Sequence, residues 1–184
     1  MKRLFDILVS LLAIICFFPL FVVVAVAIKL DSKGSVLFTQ ARIGLHGKTF
    51  SIYKFRSMVS DATEKGPYFT VGNDSRITRV GSFIRKTSID ELPQLINVLQ
   101  GSMSIVGPRP NVPEQKKEYT QAQWQLRNSV KPGITGLAQA TLRSEATPEQ
   151  RTELDLEYAK KMSMITDFKI ILMTIKQVLS KGGN

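Results

Sequence analysis

An α+β fold, mostly helical, follows from three features of the sequence. Residues 7–28 are 22 consecutive uncharged positions with Ser10 as the only polar one. At about 1.5 Å per residue such a run reaches roughly 33 Å as a helix, enough to cross a bilayer core. A short alternating stretch, a Gly-bounded turn and a second alternating stretch come next, the pattern of a small β-hairpin. Beyond it, apolar residues recur at helical spacing with cations around them, as in amphipathic surface helices. The chain therefore divides into a membrane-inserted helix, residues 1–30, and one domain, residues 31–184.

Charge brackets the membrane helix: Lys2 and Arg3 precede it, and Lys29 and Lys33 follow it. Pro19, near its middle, removes a helical hydrogen bond. The segment is then either a kinked spanning helix or a re-entrant hairpin that enters and leaves by one face. Cations on both flanks favour the hairpin, because both then sit at the cytoplasmic surface. A cleaved signal peptide is not expected, since the run is too long and no small-residue cleavage site follows.

In the domain, residues 36–40 and 49–58 are expected strands joined through Gly44-Leu45-His46-Gly47-Lys48, with His46 solvated. A period of two places Lys54 and Arg56 on one face about 7 Å apart, a spacing suited to gripping one anionic group. Residues 60–75, with Gly66, Pro67, Gly72 and Asn73, read as a long polar loop. Ile77, Val80 and Ile84 recur at helical spacing among Arg76, Arg79, Arg85 and Lys86, a basic amphipathic helix.

Ser88 with Glu91 has the capping-box pattern. A helix is therefore expected to start within a residue or two of Asp90, with Pro93 in its first turn. Its N-terminus would favour the adjacent carboxylates Asp90 and Glu91, and equally a phosphate brought alongside. Gly107-Pro108-Arg109-Pro110 fixes the backbone on both sides of a guanidinium, which lowers the entropy lost when it clamps a phosphate. Residues 114–130 have helical character and carry Trp124, expected to pack. Lys131-Pro132-Gly133-Ile134-Thr135-Gly136 reads as a turn whose backbone N–H groups could approach a ligand closely. Residues 148–161 and 168–179 are the last helices, and residues 181–184 are expected to be disordered.

A net charge of +10 on 184 residues seeks anions, whether nucleic acid, anionic lipid or phosphorylated small molecules. The single cysteine, Cys16, precludes an intrachain disulfide and suits a reducing compartment. The single histidine, His46, excludes His-rich metal sites and leaves little room for a Ser-His triad. Any metal would be held by oxygen, which points to Mg2+ or Mn2+.

The parts also stand in a specific order: Arg3-x-x-Asp6, an apolar segment with a central proline, Lys54-Phe55-Arg56-Ser57-Met58, Ser88-Ile89-Asp90-Glu91-Leu92-Pro93-Gln94, Gly107-Pro108-Arg109-Pro110 and Pro132-Gly133-Ile134-Thr135-Gly136. Over nearly the whole chain this resembles the bacterial sugar transferases, the monotopic phosphoglycosyl transferases in their small single-domain form. The resemblance implies a membrane enzyme that moves a phosphosugar from a UDP-sugar donor to polyprenol (undecaprenyl) phosphate and releases UMP. That is the first membrane step of glycan assembly, on the cytoplasmic face of the bacterial inner membrane. It implies that Asp90 is the nucleophile of an aspartyl-phosphosugar intermediate, with Glu91 beside it and Mg2+, or Mn2+ in its place, at the pair. On the same reading Lys54, Arg56, Arg85 and Arg109 neutralise phosphate oxygens, while Pro108, Pro110, Gly133, Thr135 and Gly136 shape the substrate pocket through their backbones. A homodimer is compatible with it. Small members often carry Ser-Pro at the break of the membrane helix, where this chain has Phe18-Pro19. Residues 139–145 lack the Asn-Gly pair of some relatives, so no sugar identity is carried over.

The competing classes are a membrane-tethered nucleic-acid-binding protein and a non-catalytic membrane adaptor. The aromatics do not alternate with the cations as in a stacking platform, so no nucleic-acid partner is expected. An adaptor would tolerate Asp90→Asn.

Overall fold

The computed structural model describes residues 1–62, 65–66, 74–142 and 147–181. α1 (Lys2–Asp31) is one helical element with Pro19 inside it, where the missing N–H removes a hydrogen bond. α1 is long and apolar enough to cross a membrane.

The domain holds both ends of this helix. At its start, Arg3 donates to the carbonyls of Val98 and Leu99. Asp6 accepts from Ser104 Oγ and the Ile105 N–H, both at 3.0 Å. Lys2 reaches Val106 O at 3.1 Å and pairs with Asp167. At its end, Val24 and Ile28 pack with Phe55 and Ile84. There the Asp31 carboxylate accepts the Val80 N–H at 3.0 Å, one of the orphan donors that open α2 (Arg79–Lys86). Between these anchors Leu11, Leu12, Ile15, Phe17 and Phe18 are exposed.

β1 (Leu37–Ile43) pairs antiparallel with β2 (Thr49–Phe55), placing Phe38 opposite Lys54 and Gln40 opposite Ile52. His46 (φ 56) and Gly47 (φ 76) close the connection in left-handed conformation, and His46 is exposed as expected. The second edge of β2 is covered by a side chain. Buried Asn97 of α3 (Gln94–Gln100) accepts the Tyr53 N–H at 2.9 Å and donates to Ser51 O at 2.8 Å, as a neighbouring strand would. Ile52, Val98 and Met103 form the core beneath it.

The stretch expected as a Gly/Pro turn contains strand β4 (Gly133–Thr135), parallel to β3 (Ser104–Val106). The pair is lengthened by Gly107 N–H to Thr135 O at 2.9 Å and Gly133 N–H to Pro108 O at 3.0 Å. The backbones approach so closely that a Cβ on Gly133 would stand 2.1 Å from the Gly107 nitrogen. The N–H of Gly133 therefore serves the sheet rather than a ligand.

The helix expected over 114–130 is two pieces, a 3-10 segment Pro113–Glu118 and α4 (Gln121–Arg127). Tyr119 is extended, and Thr120 with Gln123 forms the capping box that restarts the helix. Ile77 stands outside α2 and bridges Met58 instead. α5 (Leu137–Thr141), α6 (Pro148–Lys161) and α7 (Met164–Lys181) close the domain around Val106, Val130, Ala140, Tyr158 and Ile170. Much of the expected loop 60–75, part of 139–145 and the expected disordered end at 182–184 lie outside the described residues.

Candidate active site

A single 3-10 turn, Ile89–Glu91, joins α2 to α3. The helix expected at Asp90 begins at Gln94, one turn later. Ser88 does not cap it: its backbone is left-handed (φ 57, ψ 16) and its side chain makes no cap bond. Pro93 has no N–H to reach Ile89 O. The Leu92 N–H takes that carbonyl at 3.1 Å, and Glu91, Leu95 and Ile96 donate three residues back in the same way. At about three residues per turn, neighbouring side chains leave the backbone about 120° apart. Asp90 and Glu91 consequently face different spaces.

Asp90 lines a cavity of about 350 Å³ bounded by both hairpin strands and the segment that follows β2. It is 7% exposed. Among the described residues no hydrogen-bond donor is bound to its carboxylate, although Lys54, Arg56 and Arg85 line the same space. Burial pushes the Asp90 carboxyl up from its ordinary value, with Lys54 pulling the other way.

Glu91 lines a second cavity, of about 410 Å³, on the side of β4, α5 and α7. Its Oε1 accepts from Lys54 Nζ at 2.7 Å and from Arg109 Nη2 at 2.6 Å. Burial opposes its ionisation, but Arg109 and Lys54 outweigh burial and hold the carboxyl far below the glutamate range. Glu91 in turn raises Arg109, while burial lowers Lys54 despite the same partner.

The Pro-Arg-Pro segment is fixed from behind. Arg127 Nη2 donates to Arg109 O at 2.7 Å and is itself held by buried Asp155 at 2.7 Å. Arg42 Nη1 donates to Pro110 O at 3.0 Å. Pro108 is bound to Gly133, and a Cβ on Gly136 would stand 2.2 Å from Gly107 O. Pro108, Pro110 and Gly133 thus frame the Arg109 loop with hydrogen-bonded backbone groups, and Gly136 packs against Gly107. Thr135 lines the second cavity.

Lys54 and Arg56 line the same cavity, and the ladder continues one residue past β2, since the Arg56 N–H donates to Val36 O at 2.9 Å. Arg56 Nη2 donates to Ser32 O at 2.7 Å and Ser32 Oγ at 2.9 Å. Among the described residues its Nε and Nη1 have no hydrogen-bond partner, although the residue is buried. Pro19 lies in the exposed middle of α1. Arg42, absent from the sequence expectation, also lines the Asp90 cavity, and burial followed by Arg109 lowers its pKa to about 10. Its signal was the period of two, since 38, 40 and 42 share the face of their partners 54, 52 and 50. Arg127, Gln139, Arg151 and Asp155 reach the site from distant segments, and no local pattern marks them. Among the described residues no group of three or more His, Cys, Asp or Glu side chains is placed to hold a metal. The oxygen donors are Asp90, which is uncommitted, and Glu91, which already holds two cations.

A buried, unbonded carboxylate facing several cations can accept and give up a phosphoryl group. A family model described as "Bacterial sugar transferase" matches residues 1–181. The chain belongs to the bacterial sugar transferase family. Within that family it is 44% identical over 182 residues to a UDP-glucose:undecaprenyl-phosphate glucose-1-phosphate transferase of Escherichia coli (strain K12), covering 95% of this chain and 39% of that protein. It is 42% identical over 190 residues to a UDP-N-acetylgalactosamine-undecaprenyl-phosphate N-acetylgalactosaminephosphotransferase of Aeromonas hydrophila, covering 99% of this chain and 44% of the relative. An uncharacterised sugar transferase of Bacillus subtilis (strain 168) is 41% identical over 183 residues, covering 100% of this chain and 89% of the relative. The chain thus spans about two-fifths of the length of the first two of these sugar transferases and nearly all of the third. The membrane-length α1 and the lipid acceptor named for the first two suggest membrane association.

Proposed function

We propose that this protein transfers a phosphosugar from a UDP-sugar to polyprenol phosphate and releases UMP. The observation that carries the reading is the contrast within the central pair: Glu91 is tied to Lys54 and Arg109, while Asp90 is buried, unbonded and faces a cation-lined cavity. Desolvation without a hydrogen bond leaves carboxylate lone pairs available for attack. In the first half-reaction an Asp90 oxygen bonds to the β-phosphorus, and the bond from that phosphorus to the bridging oxygen breaks. The electron pair leaves with UMP. In the second, a phosphate oxygen of the polyprenol phosphate attacks the same phosphorus, and the carboxylate leaves with the Asp90–phosphorus electron pair. Splitting the displacement lets two anionic substrates use one cationic site in turn.

Lys54, Arg56 and Arg85, on the Asp90 cavity, neutralise phosphate oxygens in this scheme, and Arg109 acts from the Glu91 side. Mg2+, with Mn2+ as its alternative, needs only one or two carboxylates when it shares substrate phosphates; Asp90, the uncommitted carboxylate, would hold it, while Glu91 stays paired with Lys54 and Arg109. When bound it would screen charge on the diphosphate.

The lipid acceptor agrees with α1. A straight helix of its length would extend about 45 Å, and a span would place its ends on opposite sides of the bilayer. Both ends rest on one domain. This supports a re-entrant insertion with the domain on the cytoplasmic face of the bacterial inner membrane. The test is UMP release by the detergent-purified protein from a panel of UDP-sugars with Mg2+ and polyprenol phosphate, beside Asp90→Asn. Release by the wild type and none by the variant is expected. Equal release by the two would overturn the role of Asp90.

A further inference from the structure

The two cavities that flank the Asp90–Glu91 turn differ in charge. On the Asp90 side, among the described residues, Arg42, Lys54, Arg56, Arg76 and Arg85 line the cavity with the Asp90 carboxylate; Arg76 is paired with Asp74 and Lys54 with Glu91. On the Glu91 side the lining holds two cations, Arg109 and Arg151, and two carboxylates, Glu91, which pairs with Arg109, and Asp155, which pairs with Arg127; the remaining polar lining is hydroxyl and amide. In a nucleoside diphosphate sugar the two charged phosphates stand between the nucleoside and a neutral, hydroxyl-rich sugar ring, so the step from charged to uncharged falls at the phosphorus that bears the sugar. We propose that the Glu91 cavity takes the sugar ring of the donor and that Gln139 is a specificity-determining contact to it. This rests on the transferase reading above.

The second cavity, of about 410 Å³, has the volume of an ordinary small-molecule site. Gln139 is anchored in its wall by Nε2, which donates to Ile134 O at 3.1 Å. The other end of the amide, Oε1, is buried with no hydrogen-bond partner among the described residues. A buried acceptor left unpaired is costly, and a ligand hydroxyl or amide N–H that reaches it removes that cost. Thr135 presents a second acceptor. The Thr174 hydroxyl donates to Ile170 O at 2.8 Å, so in the 2.7 Å contact between the two threonines it is Thr135 that donates. The lone pairs of Thr135 Oγ1 stay available. The junction also has the right order along the chain. The phosphorus attacked by Asp90 lies between the charged and uncharged parts of the donor, and Asp90 and Glu91 open onto the cation-rich and balanced cavities respectively. A wall that pairs acceptors with ligand hydrogens discriminates strongly against a sugar that lacks or misplaces them.

The experiment compares wild type, Gln139→Leu and Thr135→Val, as full chains in detergent with Mg2+ and polyprenol phosphate. The donors are UDP-glucose, UDP-galactose and their 2-acetamido counterparts, and UMP serves as inhibitor. The expected result is a fall of at least about tenfold in kcat/KM for the best donor and a narrowed preference among the four. Inhibition by UMP and the KM for polyprenol phosphate should stay within about twofold, since neither ligand carries the sugar. Unchanged donor kinetics and preference would overturn the assignment. So would a raised KM for the lipid acceptor alone, which gives the cavity to the acceptor, or weakened UMP inhibition, which gives it to the nucleotide. Thr135→Val, close in shape to the native residue, decides the matter if Gln139→Leu does not fold. A wild type inactive with every donor would instead remove the transferase reading, and this assignment with it.

Discussion

Asp90 and Glu91 are adjacent in the chain and opposite in chemistry: Glu91 holds Lys54 at 2.7 Å and Arg109 at 2.6 Å, whereas Asp90 has no hydrogen-bonding partner among the described residues. Burial raises the Asp90 pKa above its ordinary 3.8, so the ionised form is disfavoured by the fold. That cost is absent below the ordinary value, grows as pH rises through the interval up to the raised folded value, and persists at neutral pH. Asp90→Asn removes it. The variant should lose at least about 10³-fold in UMP release and yet melt at or above the wild-type temperature at pH 7, with the difference vanishing below pH 4. A melting temperature well below wild type at pH 7 would show that Asp90 is structural.

Glu91 behaves in the reverse sense. Its folded pKa lies below the ordinary 4.5, so its ion pairs stabilise the protein fully above that value and lose their contribution as pH falls below it. Glu91→Gln leaves Lys54 and Arg109 facing a neutral amide. Because the Arg109 side chain is 40% exposed, solvent screening reduces the penalty; we expect about 2 kcal/mol rather than the 3–5 of a fully buried pair. Chemical denaturation from pH 5 to about pH 2 should show a steeper loss of stability in wild type than in Glu91→Gln. Parallel curves would mean that the pairing is not retained in solution.

Strain is stored immediately before the pair. Ser88 holds φ 57, a conformation that costs a residue with a Cβ about 1 kcal/mol and glycine almost nothing. Ser88→Gly should stabilise by about 0.5 kcal/mol once its more flexible unfolded chain is counted, and β-branched Ser88→Val should destabilise by more than about 1 kcal/mol. Both values come from thermal melts. Equal effects of the two variants would place Ser88 outside the left-handed region.

Local patterns made some of this structure legible and left the rest out of reach. α6 begins at Pro148 and ends at Lys161, as expected, because Pro at its start, the Thr147 cap and lysines in its last turn all act within a few residues. The hairpin follows equally from alternation and a glycine-bounded turn. The Ser88–Glu91 capping pattern misleads because the missing N–H of Pro93 and the left-handed Ser88 turn the segment into a 3-10 link. The adjacent carboxylates were visible as candidates, but their division of labour was not. It depends on Lys54 and Arg109, which stand 37 and 18 positions away from Glu91. Gln139 was equally silent, since an acceptor without a partner is a property of packed space, not of sequence.

The placement of α1 can be tested without catalysis. Its start is fixed through Arg3 and Asp6 and its end through Val24, Ile28 and Asp31. The exposed apolar middle includes Leu12, Ile15 and Phe18 and is the part left to enter lipid. In a Cys16→Ser background, a cysteine inserted after Met1 and, separately, Lys33→Cys should both react with a membrane-impermeant maleimide in inside-out vesicles. Neither should react in intact spheroplasts. Native Cys16, near the middle of the apolar run, should be protected in both preparations. Labelling of the two flanks from opposite faces would establish a spanning helix, and one of its two anchors on the domain would then have to release in the membrane.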